Sequence, residues 1–438
     1  MNTQAIKEAV ARAAAEYGVQ DYEISLSARE SAGAEALKDE ISSVTYSNSG
    51  TMKVRCVKDG RSGYATSDLI DPATAAELVA TACANAGVID DTDTLGLFPG
   101  SDVYRSTDDR AADLPATDEM KEQAMDLQRR TYAASDKVVD GTQCAVQGMR
   151  FTSAMMNSAG LDLDYGCSIV FRVVSAGVKD GEDAADDYRV VRTDAEDPQT
   201  TVDKTVTGAL SKLGAEPVDS GKYNIIIASG ALRDLLETYA DVFSARSAYL
   251  KTSLLAGKEG QEVASPLVTL VDDPFYPGKF LHCPFDGEGV AVYAKNVIEK
   301  GQLKTLLYNR MYAKLMDRQT TGNAADAKFI EPKGLYFAPG ELTAEQLLAK
   351  LGSGLYITAL NGLHAGANVQ SGDFSLQAEG YLVEGGKKTR PVKNITIADN
   401  FFQMLKKVDA ISDKVEFGAV SDFGAPEILF TQVSVSGK

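Results

Sequence analysis

The spacing of apolar and polar positions divides this chain into two stretches of different texture. In the first, helical spacing and two-residue alternation take turns. Ile6, Val10, Ala13, Ala14 and Tyr17 recur on one helical face before Gly18, so Asn2–Tyr17 is expected as a helix. Tyr22, Ile24 and Leu26 alternate with polar residues, as in a half-buried strand. Ser31–Ser43 is read as helical. Val44–Tyr46 and Met52–Val57 are read as strands flanking an Asn48-Ser49-Gly50 turn. A second turn at Asp59-Gly60 leads to a strand near Tyr64. Pro72–Ala86 carries proline in its first turn and Gly87 behind it, the asymmetry of a helix. Residues 90–116 read as irregular and Thr117–Lys137 as a long amphipathic helix. Strands are expected over Thr142–Met155, Leu161–Gly177 and Tyr188–Arg192, with Lys179–Asp187 as an acidic, solvated hairpin loop. Thr201–Leu213 reads as a further helix.

After the linker candidate Ala215–Gly221 the texture changes. Tyr223–Ala228 is an apolar strand, followed by a helix near Leu232–Ala248. Short strands and glycine turns then dominate: Leu267–Val271, Val290–Tyr293, Gln302–Leu307, Gly334–Phe337, Leu355–Leu360, Phe374–Val383, Val392–Ile397 and Ile428–Val435. Few helices are expected to interrupt them, mainly near Thr343–Leu351 and Asp399–Val408. Many short strands with glycine turns argue for a sandwich or a barrel. The 438 residues are long for one core. The expectation is therefore an α+β chain of two domains: an α/β N-terminal domain of helices and hairpins over 1–215, and a β-rich C-terminal domain over 222–438.

Charge narrows the function. With 62 acidic and 44 basic side chains the net charge is -18. Such a surface repels phosphate backbones unless a basic patch intervenes, so no direct nucleic-acid partner is expected. The Lys387–Arg390 run is read as a hairpin tip. No apolar run approaches the ~20 residues that span a bilayer, and the charged N-terminal stretch does not read as a secretory signal. Five scattered cysteines without a CxxC pattern read as reduced, mostly buried cytosolic thiols, so the expected location is the cytoplasm.

Metal and nucleophilic sites draw heavily on histidine, and the chain has two, His282 and His364. Neither lies within a helical turn of the other. His282-Cys283 could join a carboxylate at zinc only with both side chains on one side, whereas neighbours in an extended segment point apart. His364 occupies a glycine-flanked turn, Asn361–Gly366. No GxxxxGK[ST] loop and no GxSxG elbow occurs. The residues alone show no catalytic constellation.

Several segments recur in a recognisable order: Pro284-Phe285-Asp286-Gly287-Glu288-Gly289-Val290, Lys300-Gly301-Gln302-Leu303, Tyr312-Ala313-Lys314, Thr320-Thr321-Gly322-Asn323-Ala324, Ser371-Gly372-Asp373-Phe374-Ser375 and Pro391-Val392 to Ile397-Ala398. From about Gly221 onward they resemble the TldD/TldE (PmbA) family, zinc metallopeptidases with an older name as modulators of DNA gyrase. In its catalytic branch a helix carries His-Glu-x-x-x-His. Here the matching run reads Glu237-Thr238-Tyr239-Ala240-Asp241-Val242, so the degenerate metal-motif positions are Glu237, Thr238 and Val242. The later Tyr249-Leu250-Lys251-Thr252-Ser253 is similar to the run at that point in the TldE branch, which lacks the zinc helix.

The resemblance implies a two-domain subunit that dimerises with a TldD-type chain, or with itself, around a cavity admitting small or unfolded peptides. It implies zinc in the TldD-type partner, and neither metal nor cofactor nor catalytic residue in this chain. Glycine turns at Gly362, Gly366 and Gly372 allow close backbone approach, and exposed strand edges could pair with a peptide. Asn323, His364 and Asp373 are the candidates for polar contacts in the cavity, and Glu237 and Asp241 are expected on one helix face. Two competing readings are a homodimeric peptide-binding module without protease activity, and an autonomous hydrolase using His282, His364 or a carboxylate pair.

Overall fold

The computed structural model describes residues 3–89, 92, 95–107 and 112–438. Within them the chain divides into two compact units. One comprises residues 1–126, 144–173 and 282–291, the other 127–143, 174–281 and 292–438.

Helix α1 (Thr3–Glu16) precedes three strands, β1 (Asp21–Leu37), β2 (Glu40–Lys58) and β3 (Arg61–Ser67), and helix α2 (Pro72–Val88). Helix α3 (Thr117–Ala134), strands β4 (Gln143–Asn157), β5 (Asp162–Asp180) and β6 (Asp183–Arg192), and helix α4 (Pro198–Leu210) follow. The strands form a six-stranded sheet in the order β3-β2-β1-β4-β5-β6. The first-unit core gathers Ile6 and Val10 of α1, Ile24 and Leu26 of β1, Met52 and Val54 of β2, and Leu78 and Val79 of α2. Asp71 caps α2 by accepting from the amides of Ala73 and Thr74. Gly63 is required beneath that helix: a Cβ there would stand 1.9 Å from the Ala82 carbonyl.

Several expectations are corrected here. Ser31–Ser43 is not helical. Its first part completes β1, and a two-residue turn at Lys38 and Asp39, with φ of 55° and 59°, leads into β2. Ala32, Ala34 and Ala36 are buried at every second position, opposite Tyr46, Val44 and Ile41. Pairing across the hairpin overrides alanine's helical preference. Asn48-Ser49-Gly50 is not a turn but lies within β2, opposite Glu30, Arg29 and Ala28. Gly50 serves close packing, since a Cβ would meet Ile70 Cδ1 at 2.5 Å. The α2 helix continues through Gly87 to Val88. The Lys179–Asp187 loop shrinks to a turn around Gly181, because β6 already begins at Asp183. Its acids are engaged: Asp183 pairs with Lys393 at 3.1 Å and Asp187 with Lys212 at 2.8 Å. Of the expected irregular stretch 90–116, the described residues form neither helix nor strand, and 90, 91, 93, 94 and 108–111 lie outside the described set, as does Asn2.

The remaining elements are strand β7 (Gly221–Ile227), helices α5 (Ser229–Tyr239) and α6 (Ala245–Tyr249), strands β8 (Leu270–Asp272), β9 (Lys295–Glu299) and β10 (Gln302–Leu303), and helix α7 (Arg310–Leu315). Then come β11 (Leu335–Phe337), α8 (Ala344–Leu351), β12 (Gly354–Asn361), α9 (Leu363–Gly366), β13 (Asp373–Glu384), β14 (Lys387–Asn400) and α10 (Phe401–Met404). Strands β15 (Val408–Ile411), β16 (Glu416–Phe417), β17 (Phe423–Ala425) and β18 (Ile428–Ser436) complete the chain. Six of these strands run in the order β14-β13-β12-β7-β18-β15. A further pairing, Thr396↔Ser436 to Ala398↔Ser434, joins β14 to β18. Five of the strands therefore close on themselves as a barrel, the expected β-rich architecture, while β15 pairs with β18 alone at its side. A second six-stranded sheet has the order β10-β9-β8-β11-β17-β16.

The continuous apolar run of β7 is explained by burial on both faces. Ile225 and Ile227 join the main core with Leu232, Leu235 and Leu236 of α5, while Ile226 packs with Leu347 and Leu351 of α8. Lys387–Arg390 is the start of β14, and the hairpin tip is Gly385-Gly386, with φ of 60° and 74°. No helix among the described residues is long and apolar enough to cross a membrane.

Candidate functional site

The stretch expected at the metal-motif positions, 237–242, does not form one continuous α-helix. The expected Leu232–Ala248 helix ends at Tyr239, tightens into a 3-10 turn over Ala240–Phe243, and restarts as α6. Ser244 takes an extended conformation with ψ of 131° and caps α6 through the Arg246 amide. The Phe243 carbonyl and the Ala245 amide bond to Leu307 at 2.8 and 2.9 Å, which draws the chain out of the helix at this point. Glu237 and Asp241 consequently do not share one α-helical face. The Asp241 carboxylate instead accepts from the Ser247 hydroxyl at 2.5 Å.

The side chains at 237, 238 and 242 do not make a donor set for zinc. The Thr238 hydroxyl is turned onto its own helix, donating to the Asp234 carbonyl at 2.8 Å. Val242 has no donor atom and is 1% exposed, packed into the core. Glu237 keeps a carboxylate, pushed above its ordinary range by partial desolvation and by the Asp234 and Asp422 carboxylates. Among the described residues no group of three or more His, Cys, Asp or Glu side chains could hold a metal ion. His282 and Cys283 lie in the other unit, where Cys283 Sγ sits 3.4 Å from the Tyr165 hydroxyl.

Tyr239, between Thr238 and Val242, ties this stretch to a distant loop. It is fully buried and stacks on Phe401, with ring centroids 4.4 Å apart. Its hydroxyl donates to the carbonyls of Gly372 and Asp373, at 3.1 and 3.0 Å. Burial and the nearby Asp373 carboxylate push the phenol up to about 12.

The loop it anchors is tightly built. The Gly372 amide donates to the Asn368 carbonyl at 2.8 Å, its carbonyl accepts from the Phe401 amide at 2.7 Å, and the Asp373 carbonyl accepts from the Asn368 amide at 2.8 Å. Gly372 has φ of 83°, and a Cβ there would stand 2.6 Å from the Phe402 ring. Asn400 Nδ2 donates to the Ser371 carbonyl and to Asp373 Oδ1, at 2.8 and 2.9 Å. The Asn400 amide, with the Ser371 hydroxyl, holds the exposed Asp373 carboxyl below the usual carboxylate range. An open groove of about 680 Å³ is lined by residues 365–370 and 373–375. His364 is exposed on the one-turn helix α9, immediately before that lining.

Asn323 stands elsewhere, in a buried polar network. Its Nδ2 donates to Asp272 Oδ2 at 2.7 Å and to the Glu331 carbonyl at 3.1 Å. Its Oδ1 accepts from Lys295 Nζ at 3.2 Å and from the Thr321 hydroxyl at 2.8 Å. Asp272 also accepts from Lys295 at 3.0 Å and from the amides of Lys333 and Gly334 at 2.7 and 2.8 Å. Burial alone would raise the Asp272 carboxyl, but Lys295, Asn323 and the Lys333 amide outweigh it and hold it low. The fold thus brings Asp373 close in sequence and space to the His364 turn and sets Asn323 apart, with every polar group of its side chain engaged. Tyr239, Asn400 and Asp272 were not singled out by the sequence, which offers no local signal for partners so far along the chain.

The shared segments acquire physical meaning. In Pro284–Val290, Asp286 Oδ1 accepts from the amides of Glu288 and Val290 at 2.9 and 3.0 Å. Gly289 (φ 78°) leaves room for Leu161, whose Cδ2 would lie 2.7 Å from a Cβ. These are turn-building residues.

Comparison with known proteins agrees with this architecture. The profile of the PmbA/TldA metallopeptidase C-terminal domain matches residues 220–437, and that of PmbA/TldA metallopeptidase domain 1 matches residues 22–86. A Haemophilus influenzae relative named metalloprotease PmbA homolog is 24% identical, over 91% of this chain and 88% of its own. A solved Thermotoga maritima structure, described as a modulator of a DNA gyrase, superposes with a TM-score of 0.90 at 28% identity, covering 99% of this chain and 100% of that one. The structure of TldE from Thermococcus kodakarensis has the same fold, with a TM-score of 0.89 at 21% identity, covering 99% and 100% of the two chains. By both domain profiles and by relatives and structures that match nearly its whole length, this chain belongs to the PmbA/TldD metallopeptidase family.

Proposed function

We propose that this chain is the non-catalytic, TldE-like subunit of a zinc metallopeptidase complex. Its partner is a TldD-type chain carrying an intact His-Glu-x-x-x-His helix. The observation that carries this reading is the state of the motif helix. Metal-assisted hydrolysis needs two imidazoles held together and a carboxylate beside them. At those positions stand Glu237, Thr238 bonded to its own helix, and Val242 buried in the apolar core. The chain's part in proteolysis is to close the chamber and hold a small or unfolded peptide extended beside the partner's zinc. Free cysteines throughout the described residues fit work in the cytoplasm.

The test is elemental analysis and peptidase assay on the purified chain, on a TldD-type protein, and on their mixture. The expected result is no stoichiometric zinc in this chain alone, with zinc and peptidase activity in a complex that co-elutes. Stoichiometric zinc in the isolated chain, or hydrolysis by it that is lost in His282→Ala or His364→Ala, would overturn the reading in favour of an autonomous hydrolase. A stable homodimer that binds peptides but ignores the TldD-type protein would replace it with a stand-alone binding module.

A further inference from the structure

We propose that the Asp373 loop is a binding site for a primary ammonium group, carried by a peptide seated in the adjoining groove. The inference deepens the peptide-holding role proposed above and rests on it.

The carboxylate is presented rather than incidental. Three separate elements converge to fix it: the end of α5 through Tyr239, the start of α10 through Asn400 and Phe401, and the Asn368 turn. The side chain itself receives neutral donors only, the Asn400 amide and the Ser371 hydroxyl. Among the described residues no Lys, Arg or His forms an ion pair with it. The neighbouring Asp399 is the contrast, paired with Lys407 at 2.7 Å. A carboxylate offers about four acceptor positions, and about half of these remain open at Asp373. An anion held ionised and oriented, without a countercharge, is matched by a group that brings positive charge and several N–H donors.

The groove supplies the rest of the match. Ala365, Gly366 and Ala367 line it with small side chains, and Val369, partly buried, adds apolar surface. A Cβ on Gly366 would stand 2.4 Å from the Ser375 carbonyl, so the end of α9 lies against β13 with no side chain between them. Such a surface admits the main chain of an extended peptide while leaving one charged end to Asp373. The net charge of -18 draws the same cations toward the protein at low salt. Two sources can supply the ammonium, the peptide's amino terminus and a lysine side chain.

The experiment measures fluorescence anisotropy of the full-length chain with three alanine- and valine-rich peptides labelled at their C-termini. One has a free amino terminus and no lysine, one is the same peptide acetylated, and one is acetylated with a central lysine. Charge-assisted hydrogen bonding at a partly exposed site predicts about tenfold tighter binding of an ammonium-bearing peptide over the acetylated lysine-free one. Preference for the first peptide assigns the amino terminus, and preference for the third assigns lysine. Asp373→Asn keeps the acceptor for Asn400 and removes the charge, so the preference should vanish while the acetylated peptide binds as before. Tyr239→Phe, which loosens the loop without touching the ligand, should shrink the preference and leave the acetylated peptide unaffected. Equal binding of all three peptides, binding of none, or a preference that survives in Asp373→Asn would overturn the proposal.

The zinc and peptidase measurement on the mixed complex is independent of this one. An active complex whose amine preference ignores Asp373→Asn removes the site and leaves the subunit role. An inactive mixture with the preference intact removes the role and leaves the site.

Discussion

Asp272 ends β8 and Asp373 begins β13, each beside a loop that the family segments contain, yet the fold treats them oppositely. Asp272 is wholly buried and receives four hydrogen bonds, two from backbone amides, one from Lys295 and one from Asn323. Asp373 is exposed and is held by neutral donors, with no countercharge. A filled carboxylate is a strut whose removal strands its partners. A half-filled one is free to meet something that arrives from outside. The same residue type at two loops is thus sorted into structure and candidate chemistry by the number of its acceptors already occupied.

The strongest way to break the comparison is at the strut. Asp272→Ala leaves the Lys295 ammonium, with its side chain 6% exposed, without its countercharge. Removing one partner of a buried pair is expected to destabilise by about 3–5 kcal/mol, read as a shift in the denaturant midpoint. The double variant Asp272→Ala with Lys295→Met should recover part of that loss. A single-variant loss below about 1 kcal/mol would show that the network is not structural. The pH dependence sharpens the same point. The folded Asp272 carboxyl is depressed, so its contribution is present above the ordinary carboxylate range and disappears as pH falls through the folded value. Acid unfolding of Asp272→Asn should therefore be shallower than that of the parent.

Next in size is the motif helix. Val242→His places an imidazole in an apolar core and should lower stability by about 2–3 kcal/mol. Combining it with Glu237→His and Thr238→Glu should still not yield stoichiometric zinc by elemental analysis, because a zinc site also needs a third protein ligand, and among the described residues no cluster of His, Cys, Asp or Glu stands ready to supply one. Tight zinc binding by the triple variant would sink this account.

Tyr239→Phe removes one hydroxyl that two carbonyls share, and should lower stability by about 1 kcal/mol in a thermal melt. Its folded phenol lies at about 12, above the ordinary tyrosine value, so its contribution holds below about pH 10 and is lost as pH rises toward 12. Alkaline unfolding should be gentler in Tyr239→Phe than in the parent. The smallest effect belongs to Asp373→Asn, whose thermal melt should match the parent's, as expected of an exposed side chain. A large loss there would erase the contrast with Asp272.

Local chemistry was readable where it settled the matter alone. The Pro72 helix, the Asp59-Gly60 turn and the strand of Tyr223–Ala228 all lie where periodicity and turn residues put them. It misled where a partner strand decided. Ala32, Ala34 and Ala36 suit a helix by propensity and a strand by pairing, and the long β1–β2 hairpin settles the choice. At the motif helix, the changed residues at 237, 238 and 242 were plain in the sequence. The extended backbone at Ser244 was not, since it goes with the pairing of Phe243 and Ala245 with Leu307.

By itself, then, the amino-acid sequence determined the α+β class, the β-rich second half and the family. Those properties are written in residue types and short spacings. Closure of the barrel through β14 and β18, the anchoring role of Tyr239, and the separation of Asn323 from Asp373 were decided only by the tertiary structure. The Asp272–Asn323 bond spans 51 residues, and the Tyr239–Asp373 bond spans 134. A hydrogen-bonding group is committed or left open by donors that arrive from such distances, and no local pattern in the chain records which of them will arrive.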